Sequence, residues 1–454
     1  SLPWAQAVTG ASPLLLSALR EHGYLVSVGN GLYRLAGGLG LGRVLAPGAS
    51  AVGLRQARGR ALQELRRTLD DSAASGRRAW LERLDAGYVS LRSLLTGLLR
   101  HALPDRGPEA GLADAVVALN RYRISRTYFL DARADLEQLL SQAVPAHGAA
   151  QTGTLRGVRL AGVRLALAQT LQHLGEYAAA TALTAAVRAQ GQLPVTCQAR
   201  ALLIEARILH RRSEYPLARA TYRRAQDLLT RPRRSPEPGL LAQALGGQAR
   251  SLIYLDDLPG ARRLIGQALD TLGPDRDPLL RAFVLNTAGL IETEDRQLET
   301  AEGHLNASLQ LHEAHGDREG LILNRMGLAW VRLLRGDGEG SAALGRVLLR
   351  EAQDAAQVWE MANVLLNLGH AERVRGRGTE ARRHYQHAEE LVSEHDAPSL
   401  HAERLGGLAW CAHDEGNVDG ARELLCQALA HPGANAEVQR FFAPLQAALD
   451  GTGS

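Results

Sequence analysis

A small residue that recurs about every forty positions constrains this 454-residue chain more than any other feature. A short turn leads into it. In the clearest copies an apolar or aromatic residue follows four positions later and an alanine three beyond that. The pattern runs from Leu174-Gly175-Glu176-Tyr177 into Ala180, then from Ser213-Glu214-Tyr215 into Ala218, Tyr222 and Ala225, and from Asp256-Asp257-Leu258 into Ala261, Ile265 and Ala268. It continues from Arg296-Gln297-Leu298 into Ala301 and Leu305, and from Gly336-Asp337-Gly338 into Ser341. Gly376 then leads to Ala381, Tyr385 and Ala388, and Gly416-Asn417-Val418 to Ala421, Leu425 and Ala428. The anchors at 180, 218, 261, 301, 341, 381 and 421 are spaced 38, 43, 40, 40, 40 and 40 residues apart. Four equal intervals in succession mark a repeat, and the longest interval holds the Pro-rich break Arg231-Pro232-Arg233-Arg234-Ser235-Pro236-Glu237-Pro238-Gly239.

Ala168, Ala206, Ala249, Gly289, Gly369 and Ala409 lie about twelve residues before their anchors, where small side chains let two helices of a hairpin approach closely. Gly, Asp or Asn in the turn supplies the reversal. The apolar fraction of 45 % contains only 4 % aromatics, which suits helices packed through Leu, Ala and Val. One hairpin cannot bury its own apolar face, so the units stack into a continuous core. The expected fold is therefore all-α, a superhelix of helical hairpins over roughly residues 150–445. The pattern resembles the tetratricopeptide repeat family in a longer, forty-residue form, although that family's Trp near the start of the first helix and its closing Pro are mostly missing.

Before residue 150 the period is lost. Leu2–Gly10 is an amphipathic start, and Leu14–Val26 reads as a helix ending on a Gly cap. Tyr24–Val28 and Leu32–Leu35, joined through Gly29-Asn30-Gly31, read as a β-hairpin, so the whole has the form of a small winged-helix segment. The run LLLSALREHGYLVSVGNGLYRL resembles the winged helix that follows the nucleotide-binding module of STAND-class bacterial regulators, NB-ARC-like NTPases linked to antibiotic-regulatory and LuxR-type activators. Trp80–Asp85 with Leu91–Leu95 is similar to that family's linker helix, and Tyr122–Leu130 with Leu136–Leu140 to its divergent first repeat. Gly87, Tyr88 and Ser90 depart from the family's acidic and Asn residues, and Leu39-Gly40-Leu41-Gly42 interrupts the place of a basic helix. The expected domains are a winged-helix-like remnant over 1–70, linker helices and a divergent repeat over 71–150, basic repeats over 151–234 and acidic repeats over 235–450.

Charge divides at the Pro-rich break. Residues 1–234 carry 32 Arg against 16 acids, a balance of +16, and residues 235–454 carry 20 Arg against 32 acids, a balance of −12. This polarity predicts head-to-tail association of copies as one mode of partnership. All 52 basic residues are arginine. With no lysine there is no phosphate-loop lysine, Schiff base or Ser–Lys dyad, so any NTP-binding module lies outside these residues. The resemblance implies that such a module, with a DNA-binding part, precedes Ser1, and that the chain is either an excised piece or a protein without the motor. No run of 18 apolar residues and no basic-then-apolar leader occurs, so the expectation is a cytoplasmic chain with no membrane partner. Cys197, Cys411 and Cys426 read as buried thiols of a reducing compartment.

No catalytic residue, cofactor site or metal site is expected. The run Gly37-Gly38-Leu39-Gly40-Leu41-Gly42 lacks the dinucleotide spacing and reads as a loop. His312/His315 and His384/His387 read as solvated helix histidines without the H-E-x-x-H arrangement. The Arg-dense stretch 200–234 lacks interleaved aromatics, so sequence-specific nucleic-acid binding is not expected of it. Partner contacts are expected on the first helix of each unit, which faces the superhelical groove. By register these are Arg207, His210, Arg211, Arg250, Asn286, Trp330, Asn367, His370, Arg373, Trp410 and His413, with Gln169 and Gln172 before them. Trp330 and Trp410 fit either the core or an exposed anchor position. The expected role is the non-catalytic sensor arm of a bacterial transcriptional regulator, receiving a protein, peptide or small inducer. The alternative is a free-standing scaffold that assembles proteins.

Overall fold

A computed structural model describes residues 25–29, 32–35, 62, 63, 65, 66, 69, 77–100, 110–143, 155–231, 237–273, 277–395 and 397–451. They form one two-stranded hairpin and eighteen helices. Two compact units share them, Ser1–Ile124 with Leu130–Leu167, and Ser125–Phe129 with Ala168–Ser454.

In the first unit, β1 (Leu25–Gly29) and β2 (Leu32–Leu35) pair antiparallel with Leu25 opposite Leu35. The expected hairpin is therefore present, shifted by one residue. The helices expected before it, and the Gly-rich run after it, lie outside the described residues apart from Leu25 and Val26, which are strand. Helices α1 (Arg77–Arg100), α2 (Ala110–Ser125) and α3 (Phe129–Ala143) follow. Leu81, Leu95, Leu119 and Leu136 are fully buried here. The buried Arg123 donates to Asp135 Oδ2 at 2.5 Å and to Tyr88 Oη at 3.0 Å, and Tyr88 Oη donates to Asp131 at 2.8 Å. Tyr88, at a position that departs from the family the sequence resembles, thus supplies one of the two acceptors that meet the buried guanidinium.

From residue 157 onward the helices pair as hairpins: α4 (Gly157–His173) with α5 (Tyr177–Arg188), α6 (Val195–Arg211) with α7 (Tyr215–Leu229), α8 (Pro238–Tyr254) with α9 (Leu258–Leu272), and α10 (Pro278–Glu294) with α11 (Leu298–Ala314). Next come α12 (Arg318–Leu334) with α13 (Gly338–Asp354), α14 (Val358–Val374) with α15 (Gly378–His395), and α16 (Pro398–Asp414) with α17 (Val418–Ala430), before a last helix, α18 (Ala436–Gly451). This is a tetratricopeptide-like superhelix of helical hairpins. Every anchor is the fourth residue of a second helix, and every one is buried.

The reversal has one geometry in all seven hairpins. The residue five before the anchor takes a left-handed conformation, from Gly175 (φ 81°) and Ser213 (φ 63°) to Gly416 (φ 81°). The next N–H then returns to a carbonyl of the first helix, as Glu176 N to Leu171 O and Asn417 N to Ala412 O, both at 2.9 Å. This satisfies carbonyls that a helix end would leave unpaired. Ser213 and Arg296 adopt the same turn as the expected Gly and Asp. Asp257, Asp337 and Asn417 then cap the second helices by accepting from the N–H three residues on.

Packing explains the small positions. A Cβ at Gly369 would sit 2.3 Å from the Tyr385 ring, and one at Gly407, on the next first helix, 2.5 Å from the same ring. Gly289 and Gly327 make the same kind of notch for Leu305, and Gly247 one side of it for Tyr222. In these hairpins the residue four after the anchor wedges against small residues of its own hairpin, the next one or both, and in the fifth the fit is reversed, with Leu368 against Gly345. Gly407→Ala is expected to cost about 1–3 kcal/mol by overpacking. Chemical denaturation should show part of that loss recovered in the double variant with Tyr385→Leu, because the two sites share one contact.

Candidate functional site

The second unit curls until hairpins far apart in sequence meet. Arg211 donates to Glu360 at 2.5 Å and lies 3.6 Å from the centre of the Trp359 ring. Ser213 Oγ accepts from Ser399 N at 3.1 Å, and Asn435 Nδ2 donates to Tyr215 Oη at 3.4 Å. Arg440 of α18 donates to Glu294 (3.0 Å), Asp256 and the Ile253 carbonyl (3.3 Å). Helix α18 can reach across because its opposite face is anchored: Phe442 is fully buried against Gly406, where a Cβ would lie 2.4 Å from its ring.

These contacts bound a cavity of about 400 Å³ whose walls are mainly the first helices of successive hairpins. Of the eleven groove residues expected from register, Arg207, His210, Arg211, Arg250, Asn286, Trp330 and Asn367 line it. Arg207 Nε donates to Gln172 Oε1 at 3.1 Å, and Arg250 Nη2 to Asn286 Oδ1 at 2.7 Å. Asn286 passes the chain on to Asn324 Oδ1 at 3.1 Å. Side-chain amides and guanidinia of successive first helices thus bond across the groove. Trp330 is half-buried in the wall, with its Nε1 facing no acceptor among the described residues.

The other four expected residues lie outside the lining. His370 is buried, bonded to Tyr385 Oη (2.9 Å) and Glu403 (3.2 Å), with the Phe441 ring 4.8 Å away. Arg373 stacks over Trp410 at 4.4 Å and donates to Asp414, while His413 packs edge-on to Trp410. Register alone treats every first helix as open to the groove, whereas Phe441 of α18 covers His370, and Arg373 and His413 pack on Trp410 away from the cavity lining. Two further expectations need correction. His312 is not solvated but buried, its Nδ1 2.9 Å from Asp317 Oδ2, in a niche that only a glycine at 320 leaves room for. Cys197 and Cys411 are buried as expected, but Cys426 is exposed.

Register also misses residues. Tyr215 and Tyr254 stack at 4.3 Å with His210 edge-on to both, and these three form one wall. Their partnership joins a second helix to the following first helix, which no single repeat announces. Glu319 and Glu437 line the cavity as well, each in the first turn of its helix. Acids are favoured there by the helix dipole alone, so nothing in the sequence singles them out.

Burial governs the charge states. It lowers His173 to about 3, with Arg207 and Arg211 adding to the effect, and it holds His210 well below the ordinary histidine range, helped by Arg250 and Arg211. Both rings are neutral at pH 7. Burial raises Glu319 to about 8, reinforced by Asp317 and opposed by Arg207. It raises Glu437 well above the carboxylate range, with Glu294 and Glu403 adding repulsion. Among the described residues no helix is long and apolar enough to cross a membrane.

Residues 360–431, the sixth and seventh hairpins, match the tetratricopeptide repeat family. No curated protein sequence matches significantly. Among solved structures, a Rap protein complexed with competence and sporulation factor is similar in fold, with 12% identity, TM-score 0.50, and 75% of this chain aligned to 99% of that one. A signal transduction ATPase with numerous domains and a tetratricopeptide repeat sensor, from Pyrococcus horikoshii, aligns over 99% of this chain and 62% of its own length, with 11% identity and TM-score 0.49. NprR in complex with its cognate peptide NprX aligns over 62% of this chain and 81% of its own, with 12% identity and TM-score 0.45.

Because the folded pKa of Glu319 lies above its unfolded value, the folded state holds a proton that the unfolded state releases. Its contribution to stability is complete below about pH 4.5 and is lost as pH rises to about 8. The buried His173 and His210 act in the opposite sense below about pH 6.5, so the test is a difference: denaturation of the ligand-free proteins should show Glu319→Gln gaining stability relative to the wild type as pH rises between those limits.

Proposed function

We propose that the chain is the receiving arm of a signal-transducing regulator, which holds a short peptide or a small inducer inside its superhelix and catalyses nothing itself. The observation that carries this reading is the cavity of about 400 Å³. Its size falls in the range of sites that enclose small ligands, and its wall mixes aromatic rings with a few convergent polar groups. Asn286, Asn324, Asn363, Asn367 and Asn435 all line it. A carboxamide offers both a donor and an acceptor, which is the complement of a peptide backbone. The likeness of residues 14–35, 80–95 and 122–140 to STAND-class regulators supports placing this arm downstream of an NTPase and DNA-reading module. Similar folds whose structures contain a signalling factor or cognate peptide agree with a peptide as the cargo.

The charge division at the Pro-rich break favours one second reading, a scaffold whose copies associate head to tail. Sedimentation separates it: salt-dependent dissociation of oligomers supports the scaffold, and an unchanged monomer mass at all ionic strengths removes it.

Leu323 lies half-buried in the cavity wall, so Leu323→Trp would fill the space. Peptides and small metabolites that raise the thermal midpoint of the wild type should leave Leu323→Trp unmoved, since stabilisation follows the logarithm of ligand concentration over Kd. Compounds that shift both proteins equally bind elsewhere, and a panel composed only of these would overturn the reading.

A further inference from the structure

Two ionisable groups lining the cavity have no counter-ion of their own among the described residues. The Arg250 guanidinium meets only neutral acceptors, Asn286 Oδ1 at 2.7 Å and Thr287 Oγ1 at 3.3 Å. It lies over the Phe283 ring at 5.2 Å, and its Nε has no acceptor among the described residues. Burial and the nearby Arg211 both push its pKa down, the mark of a cation held without compensation. The converse holds at Glu437. No described residue donates a hydrogen bond to its carboxyl, and its charged neighbours are Glu294, Glu403 and the single cation Arg440, which is already bonded to Glu294 and Asp256.

Tyr254 links the two. It feels both Arg250 and Glu437, and its ring stacks on Tyr215 to give a flat wall. An unpaired buried ion costs several kcal/mol, so Arg250 favours an anionic group of a ligand. Glu437, whose protonated form burial favours, gives up its proton to solvent when a cationic group arrives beside it. The cavity is thus complementary to a molecule carrying both charges. Building on the reading of the cavity as a receiving site, we infer that it takes a zwitterion, a short peptide with both termini free. The terminal carboxylate sits on Arg250, where a guanidinium can offer two parallel donors. The terminal ammonium sits on Glu437, and the body of the ligand lies along the Tyr254 ring.

The probes are a pool of tripeptides with free termini, the same pool N-acetylated, the same pool C-amidated, and a doubly capped pool, each titrated against the full chain by calorimetry and thermal shift. Free peptides should bind, and either cap should weaken binding by at least about tenfold, one lost charged contact. Arg250→Gln should become indifferent to amidation yet remain sensitive to acetylation, and Glu437→Gln should show the reverse. Loss of an uncompensated cation should also leave the ligand-free Arg250→Gln at least as heat-stable as the wild type, which separates lost recognition from a failed fold. If the doubly capped pool binds as well as the free pool, and Leu323→Trp abolishes that binding, the receiving cavity stands and the zwitterion is wrong. If no pool shifts the wild type, the inference and the peptide reading fall together.

Discussion

Everything in the repeat array depends on the wedge between hairpins. Where a bulky residue stands four positions after the anchor it needs somewhere to go, and small residues on first helices make room for it; in the fifth hairpin the roles reverse, and Gly345 takes Leu368 of the next first helix. Tyr385 in the notch of Gly369 and Gly407, and Leu305 between Gly289 and Gly327, show that arrangement. Because the notch is built from two hairpins, neither is complete alone, and order passes from one unit to the next by direct contact. The forty-residue period, the regular turn and the stacking direction all follow from this one fit.

That is also why so much of the array was legible in the sequence. Anchors, turns and small first-helix positions are local and repeat seven times, so each supports the others. The turn chemistry was less uniform than the pattern suggested, with Ser213 and Arg296 accepting a strained left-handed backbone where glycine serves elsewhere. The candidate site was legible only in part, because its geometry is not periodic. Arg207 and Arg250 could be placed by register, since they hold the same position of successive first helices, and Asn286 lies one turn earlier on the next. His370 could not, because its covering ring, Phe441, belongs to a helix outside the repeat. Nor could Glu319 or Glu437, whose chemistry arises from burial by hairpins remote in sequence.

The cavity and the wedges make opposite use of the same helices. On the wedge side the first helices carry glycine and alanine and bury everything. On the groove side they carry arginine, asparagine and tyrosine, several of them enclosed without full compensation. The division is not complete, since Tyr222, Gly247 and Gly327 take part in wedges and line the cavity as well.

The cross-turn contacts of Arg440, Ser213 and Arg211 have a kinetic consequence. Each joins residues 146 to 186 positions apart, whereas the wedges join neighbours within a repeat or two. Local contacts form first in a folding chain and distant ones wait for the intervening segments to order. The stack can therefore assemble hairpin by hairpin from any starting point, but the cavity exists only after the last helix has docked. The cavity is the final product of folding, closed by a polar clasp between segments that meet last.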